Sequence, residues 1–277
     1  MSLVAEPHEL NRSFEWRPHT GPFRLITDAQ ARAYDEDGFF VLDDVIPLDL
    51  IDRIVAEIDP FERELEDLVR EAEGGQIFIA KADKLTFTVH LTQRSALLRE
   101  FAGSQLFADL CADLVGPDVR FYWDQAVYKK PAPDATFPWH QDNGYAFIEP
   151  QQYLTCWIPL TDATEQNGCP VVVPGLHRRG TLAHHMTNDG FVCLDDPEGA
   201  VAVPAPAGSI VVFSSLTPHC TLPNRADGVR KTYILQYAVD PSVILREGED
   251  GNVDHEAVDH PERRFPLLQG GRRVTAG

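Results

Sequence analysis

His140 and Asp142 stand two residues apart in Phe137-Pro138-Trp139-His140-Gln141-Asp142. In an extended chain residues i and i+2 share a face. An imidazole and a carboxylate therefore project toward one point, with Trp139 and Gln141 turned the other way. A third ligand must come from elsewhere, and His219 is the best candidate. It follows a turn and an apolar run, Gly208-Ser209-Ile210-Val211-Val212-Phe213. Two imidazoles and one carboxylate on one face of an octahedron leave the opposite face open, which suits a non-haem Fe(II) ion that must bind a chelating co-substrate and O2. Zinc favours a tetrahedral site with one water, and these donors alone leave zinc and manganese open. Eleven residues after His219 comes Arg230, in Arg230-Lys231-Thr232-Tyr233, and no other histidine has an arginine at that spacing. Carried back beside the metal on an antiparallel neighbour, its planar guanidinium binds a carboxylate bidentately. A dicarboxylate that chelates iron at one end needs such a partner at the other.

Chance supplies about one His-x-Asp in a chain of this composition, so the pair gains its weight from its strand context and from His219 and Arg230. A decoy, His260-Pro261-Glu262, is set aside because Pro261 disfavours a regular strand and no apolar run flanks it. His177, after Pro174-Gly175, reads as a residue that shapes a turn. His184 and His185 are adjacent, so on a strand they point to opposite faces and make poor joint ligands.

The elements that must position these residues follow from pattern. Thr27-Asp28-Ala29-Gln30 is a capping box that predicts a short helix ending at Gly38, followed by a strand at Phe39-Phe40-Val41-Leu42. Pro47 opens a helix whose Ile51, Ile54, Val55 and Ile58 form one apolar face. The acidic stretch from Phe61 to Glu73 reads as a solvated surface helix, and Ser95 to Leu114 carries a further helical pattern. After Gly116-Pro117 the texture changes. Short apolar runs at 119–128, 153–160, 170–174, 200–203, 209–213 and 232–239 alternate with turn residues, as in a β-sandwich or barrel. We expect a single domain over 1–277: a helical flank at about 27–115, a β core at about 116–240, and a polar tail at 246–277 that acts as a lid, a dimer arm or a loose end.

With 24 basic and 43 acidic residues the net charge is −19, which argues against nucleic acid and against a polybasic membrane anchor. No run of 18 or more apolar residues exists. The five cysteines are too scattered for a zinc motif or a disulfide framework, so a reduced, cytoplasmic protein with a small-molecule substrate is expected, its oligomeric state open.

The spacing His140-x-Asp142, His219, Arg230 resembles that of Fe(II)/2-oxoglutarate dioxygenases. Trp139-His140-Gln141-Asp142, then Asn167-Gly168-Cys169 leading to Val173-Pro174-Gly175-Leu176-His177, is similar to the phytanoyl-CoA dioxygenase family, over about residues 27–240. The resemblance implies a mainly β fold with flanking helices, the double-stranded β-helix (jelly roll, cupin-like). It implies Fe(II), with 2-oxoglutarate as co-substrate and O2, and release of succinate and CO2 as a substrate C–H is oxidised. It places Arg230, Trp157, Thr221, Gln125 and Lys81 around 2-oxoglutarate. Ser is commoner than Thr at the position of Thr221, and the hydroxyl is kept. Related halogenases replace the carboxylate ligand by a small residue; Asp142 is present, so hydroxylation or a related oxidation is favoured. Asn143, Tyr145 and Phe147, just after the ligand pair, are expected on the substrate side. A cupin-like Zn or Mn hydrolase or isomerase, and a non-catalytic ligand-binding member of the fold, are the alternatives.

Overall fold

The computed structural model describes residues 5–248 and 252–274 of the chain. The capping box forms: Gln30 N donates to Thr27 Oγ1, Thr27 N donates to Gln30 Oε1, and the helix Asp28–Asp37 ends at Gly38 with φ 88°. Only glycine suits this position. A Cβ there would meet His177 Nδ1 and Thr217 Oγ1 at 2.6 Å each. The chain then enters the strand Phe39–Leu42.

The expected pair of helices after Pro47 is a single helix, Leu48–Glu71, that runs through Pro60. Its acidic half is not simply solvated. Glu62 and Glu66 are buried because Lys130 lies against both, 3.5 and 2.6 Å away, while Thr86 Oγ1 and Asp83 N donate to them. Ser95 to Leu114 forms two helices, Ala96–Ala102 and Gln105–Leu114, broken at Gly103-Ser104.

Most of the strands build two facing antiparallel sheets, beside a separate two-stranded and a separate three-stranded sheet. The larger has the order Phe39–Leu42, Ile210–Ser214, Leu154–Pro159, Arg230–Val239, Val119–Lys129, Leu85–Val89, Ala80–Lys81, Gln76–Ile77, with Pro266–Gln269 also pairing along Val119–Lys129. The smaller has the order Val201–Ala202, Pro170–Val172, His219–Thr221, Phe137–His140. Side chains alternate with period two. Leu154, Cys156, Ile158, Ile210, Val212, Tyr233, Leu235 and Tyr237 pack against Ile51, Ile54, Ile58, Phe107 and Leu110 of the helices. The intervening Thr155, Trp157, Phe213, Arg230 and Ile234 face a cavity that they share with His140, His219 and Thr221 of the small sheet. This is a double-stranded β-helix with helices on one face, and the cavity between the sheets is where function can sit.

The helical flank and the tail differ from the sequence reading. The strand Phe39–Leu42 forms as expected, whereas Leu85–Val89, also inside 27–115, is a strand of the large sheet rather than helical flank, because it pairs along Val119–Lys129. Within the tail, Val253–Ala257 pairs with Val243–Glu247, and Phe265, Leu267 and Leu268 are buried as Pro266–Gln269 pairs with Val119–Lys129. Those three apolar side chains tie down a stretch whose average composition is polar. Residues 249–251 and 275–277 of the tail lie outside the described residues. All five cysteines are free and buried. No helix among the described residues is long and apolar enough to cross a membrane.

Candidate metal centre

The pairing of Phe137–His140 with His219–Thr221 sets His140 directly opposite His219. Their ring centroids are 4.1 Å apart. The strand ends at His140 and Asp142 opens a short 3-10 turn, but Gln141 between them is extended (φ −110°, ψ 145°), so the i, i+2 convergence survives. Asp142 Oδ1 is 3.9 Å from His140 Nε2 and 3.9 Å from His219 Nε2. Among the described residues, His140, Asp142 and His219 form the one group of three such side chains whose ligand atoms all lie within 4.8 Å of one another.

Every atom of these side chains that faces away from the common point is occupied. His140 Nδ1 is 2.9 Å from Pro138 O, and His219 Nδ1 is 3.0 Å from Thr217 O. A carbonyl only accepts, so both Nδ1 atoms carry the proton and both Nε2 lone pairs are free. Burial, and then the neighbouring His219, hold the pKa of His140 well below the usual histidine range, which keeps it in the neutral form a metal requires. Thr155 Oγ1 donates to Asp142 Oδ2 at 2.5 Å, leaving Oδ1 for the common point. Gln141, turned away as expected, is fully buried. Its amide donates to Gly180 O and Leu216 O and accepts from Leu182 N, while its backbone N–H donates to His184 Nε2. The donor set, its spacing and its preset tautomers fit a divalent ion with an open face.

Arg230 lies at the inner end of the cavity, 1% exposed. Its Nη1 donates to Thr232 Oγ1 at 2.6 Å, while Nε and Nη2 are buried with no partner. Burial lowers its pKa to about 10, which still leaves it charged at neutral pH. Its guanidinium carbon is 5.2 Å from the centroid of the Trp157 ring. Thr221 and Gln125 line the same space. Lys129 is directly opposite Arg230 in the strand register and is fully buried. Its Nζ donates to both Thr221 O and Thr221 Oγ1 at 2.9 Å, so the hydroxyl proton of Thr221 is left to point elsewhere. Burial, and then Arg230, lower the pKa of Lys129 to about 6. Two unsatisfied guanidinium nitrogens, in a cavity shared with a threonine hydroxyl that a buried lysine amine holds, form a cradle for a carboxylate.

Arg230, Trp157, Thr221 and Gln125 are thus brought to the cavity of the histidine–aspartate cluster, whereas Lys81 is not. Its ammonium pairs with the Asp189 carboxylate on the outside, and only its neighbours Ile79 and Ala80 line the outer chamber. Of the expected substrate-side residues, Tyr145 lines that chamber, its ring 5.4 Å from that of His140. Asn143 and Phe147 do not. Asn143 is buried and bonds Ile148 N and Thr181 Oγ1, and Phe147 is buried with its ring 4.9 Å from His8. The turn that begins at Asp142 rotates both out of the cavity. Sequence reasoning missed Lys129, Thr155 and His184. Lysine closing an apolar strand opposite Arg230 was the one available signal; Thr155 and His184 gave none.

Residues 34–232 match the family described as phytanoyl-CoA dioxygenase (PhyH). A methylphosphonate hydroxylase from Gimesia maris is 32% identical over 165 residues, 58% of this chain and 61% of that protein. A phytanoyl-CoA dioxygenase from Arabidopsis thaliana is 26% identical over 151 residues, 52% of this chain and 53% of that protein. The matched stretches therefore span between about half and three fifths of these relatives. Among solved structures, EvdO2 from Micromonospora carbonacea var. aurantiaca, complexed with 2-oxoglutarate, superposes with a TM-score of 0.62 at 26% identity, covering 83% of this chain and 96% of that one.

Proposed function

This chain belongs to the phytanoyl-CoA dioxygenase family, and we propose that it is an Fe(II)/2-oxoglutarate-dependent oxygenase that oxidises a C–H bond of a small organic molecule, hydroxylation being the simplest outcome. His140, Asp142 and His219 hold the metal; Arg230, with Thr221, holds the far carboxylate of 2-oxoglutarate. One observation carries the reading. Three ligand atoms converge while all their outward-facing atoms are spent, in the same cavity as an arginine with two unpartnered nitrogens. The bound ligand in the EvdO2 structure supports the choice of co-substrate.

Bound there, Fe(II) with 2-oxoglutarate and O2 supplies an oxidation in which the acid loses CO2 to become succinate and one oxygen atom is left for the substrate. The rest is the work of this chain. The two backbone carbonyls fix both imidazoles as Nε2 ligands. Thr155 ties up one carboxylate oxygen, so Asp142 would offer a single oxygen to the metal and leave room for a chelating co-substrate. Arg230 presents Nε and Nη2, with Nη1 restrained by Thr232 and the guanidinium set above Trp157, so the fork is pre-oriented for a planar carboxylate. Lys129 turns Thr221 so that its hydroxyl proton can serve the same carboxylate. Burial of this inner end keeps water off the carboxylate and strengthens each of these contacts.

Succinate formation from 2-oxoglutarate by Fe(II)-loaded protein tests the reading. We expect succinate from the wild type and none from Asp142→Ala. A wild type that, with Fe(II) bound, neither converts nor binds 2-oxoglutarate contradicts it.

A further inference from the structure

The metal ligands face a second space. An outer chamber of about 450 Å³ opens beyond His140 and Asp142, and its walls are mostly apolar and aromatic. Phe78, Tyr122, Trp123, Tyr145 and Phe191 contribute rings. A bulge in the pairing of Arg230–Val239 with Val119–Lys129 lets the consecutive Tyr122 and Trp123 both line it. Among the described residues no lysine or arginine lines the chamber, and Asp142 is the one carboxylate that does. The nearby cations are engaged elsewhere. Lys81 pairs with Asp189, Arg230 belongs to the inner end, and Arg264 stacks on Tyr122, 5.0 Å from its centroid, without reaching the chamber. The polar groups that remain are uncharged. Gln125 accepts from Trp123 Nε1 at 3.3 Å, which leaves its NH2 group free, and Gln236 donates toward Thr155, which leaves its carbonyl free.

One side of the mouth has the same character. Ile77 and Phe78 line the chamber and are 43% and 60% exposed. The hairpin that carries them is tied to the hairpin His185–Thr187/Gly190–Val192 by the Lys81–Asp189 pair and by Gln76 Nε2 donating to Asn188 O. Ile77 and Phe78 therefore give one side of the entrance an apolar edge.

Building on the metal and co-substrate reading, we propose that the primary substrate is an uncharged, largely apolar, ring-containing molecule, held by aromatic contacts and oriented by the amides of Gln125 and Gln236. A phosphonate, a carboxylate or the phosphates of a CoA thioester would find no lysine or arginine among the described lining residues to pair with. A chamber of this size and lining takes a drug-sized, mostly apolar ligand with a few hydrogen-bonding groups, and rings stack well on its walls.

The test uses anaerobic protein loaded with Fe(II), with and without 2-oxoglutarate, and Nile red as a neutral ring-containing probe. Three results are expected together. 2-Oxoglutarate raises the melting temperature, Nile red binds saturably at one per chain, and neither methylphosphonate nor octanoyl-CoA displaces it at tenfold excess. Phe191→Asp weakens Nile red tenfold or more. Phe78→Asp, at an exposed position where folding is not at stake, weakens it at least threefold. A 2-oxoglutarate shift combined with displacement of the probe by methylphosphonate or octanoyl-CoA, or with unchanged probe affinity in both variants, overturns the substrate class and leaves the co-substrate reading standing. Absence of the 2-oxoglutarate shift overturns that reading and this inference with it.

Discussion

His140 and His219 lie opposite each other in one antiparallel register, and each gives its Nδ1 proton to the carbonyl two residues before it, Pro138 O or Thr217 O. The two ligands are therefore prepared by the same local device on two strands that are far apart in sequence. The metal does not have to organise them, so the loss of a supporting contact should show as lost affinity rather than as unfolding.

Thr155→Val removes the hydrogen bond to Asp142 Oδ2 at nearly constant volume. Supporting contacts of this kind are worth about 10–100-fold in metal affinity. We expect an Fe(II) or Mn(II) titration to show a loss in that range with the melting temperature little changed. Unaltered affinity contradicts the assigned role.

Arg230→Met should act with opposite sign on two observables. Without ligand, the arginine is a buried cation with two unpartnered nitrogens, and replacing such a group by an apolar one is neutral or stabilising. With ligand, losing one partner of a buried charge pair costs about 2–5 kcal/mol, so 2-oxoglutarate should bind about 30-fold more weakly or worse. Thermal melts with and without 2-oxoglutarate check both. A destabilised free protein with normal affinity contradicts the cradle.

Lys129 predicts a pH dependence. Its pKa falls from the usual 10.5 to about 6 on folding. Between those values the unfolded chain binds more protons than the folded one, so this group makes stability rise as pH increases from about 6 to about 10. Below about 6 both states are protonated and the slope from this group vanishes. Lys129→Met should flatten that part of the curve in urea melts at several pH values. A carboxylate in the cradle favours the ammonium form, so 2-oxoglutarate binding near pH 7 should take up a proton. Calorimetry in two buffers of different ionisation enthalpy measures this, and identical heats contradict it.

Gly38→Ala should destabilise by about 2 kcal/mol or more, because it combines a positive φ with contacts of 2.6 Å to His177 and Thr217. Thr217 Oγ1 donates to Gly38 O and Thr217 O holds His219, so metal affinity should fall as well. A denaturant midpoint unchanged within error contradicts this.

How far the sequence reached depends on range. The period-two alternation made His140 and Asp142 legible, and flanking apolar runs made His219 and Arg230 legible, since each signal lies within a few residues. Lys129 and Thr155 act through partners about 100 and 13 residues away, set by strand register and by a turn, and no local pattern encodes that. Lys81 points outward for a reason equally hidden in the sequence: a short string cannot say which side of a two-residue strand faces the cavity. Glu62 and Glu66 looked solvated because their partner, Lys130, is remote in sequence.

The central claim is that His140, Asp142 and His219 hold Fe(II) with room for a chelating 2-oxo acid. Anaerobic addition of 2-oxoglutarate to the Fe(II) protein, followed by visible absorption, measures this directly. The account predicts a charge-transfer band at one equivalent, absent from a folded His140→Ala protein. A wild type without the band, or a variant that keeps it at full intensity, contradicts the account.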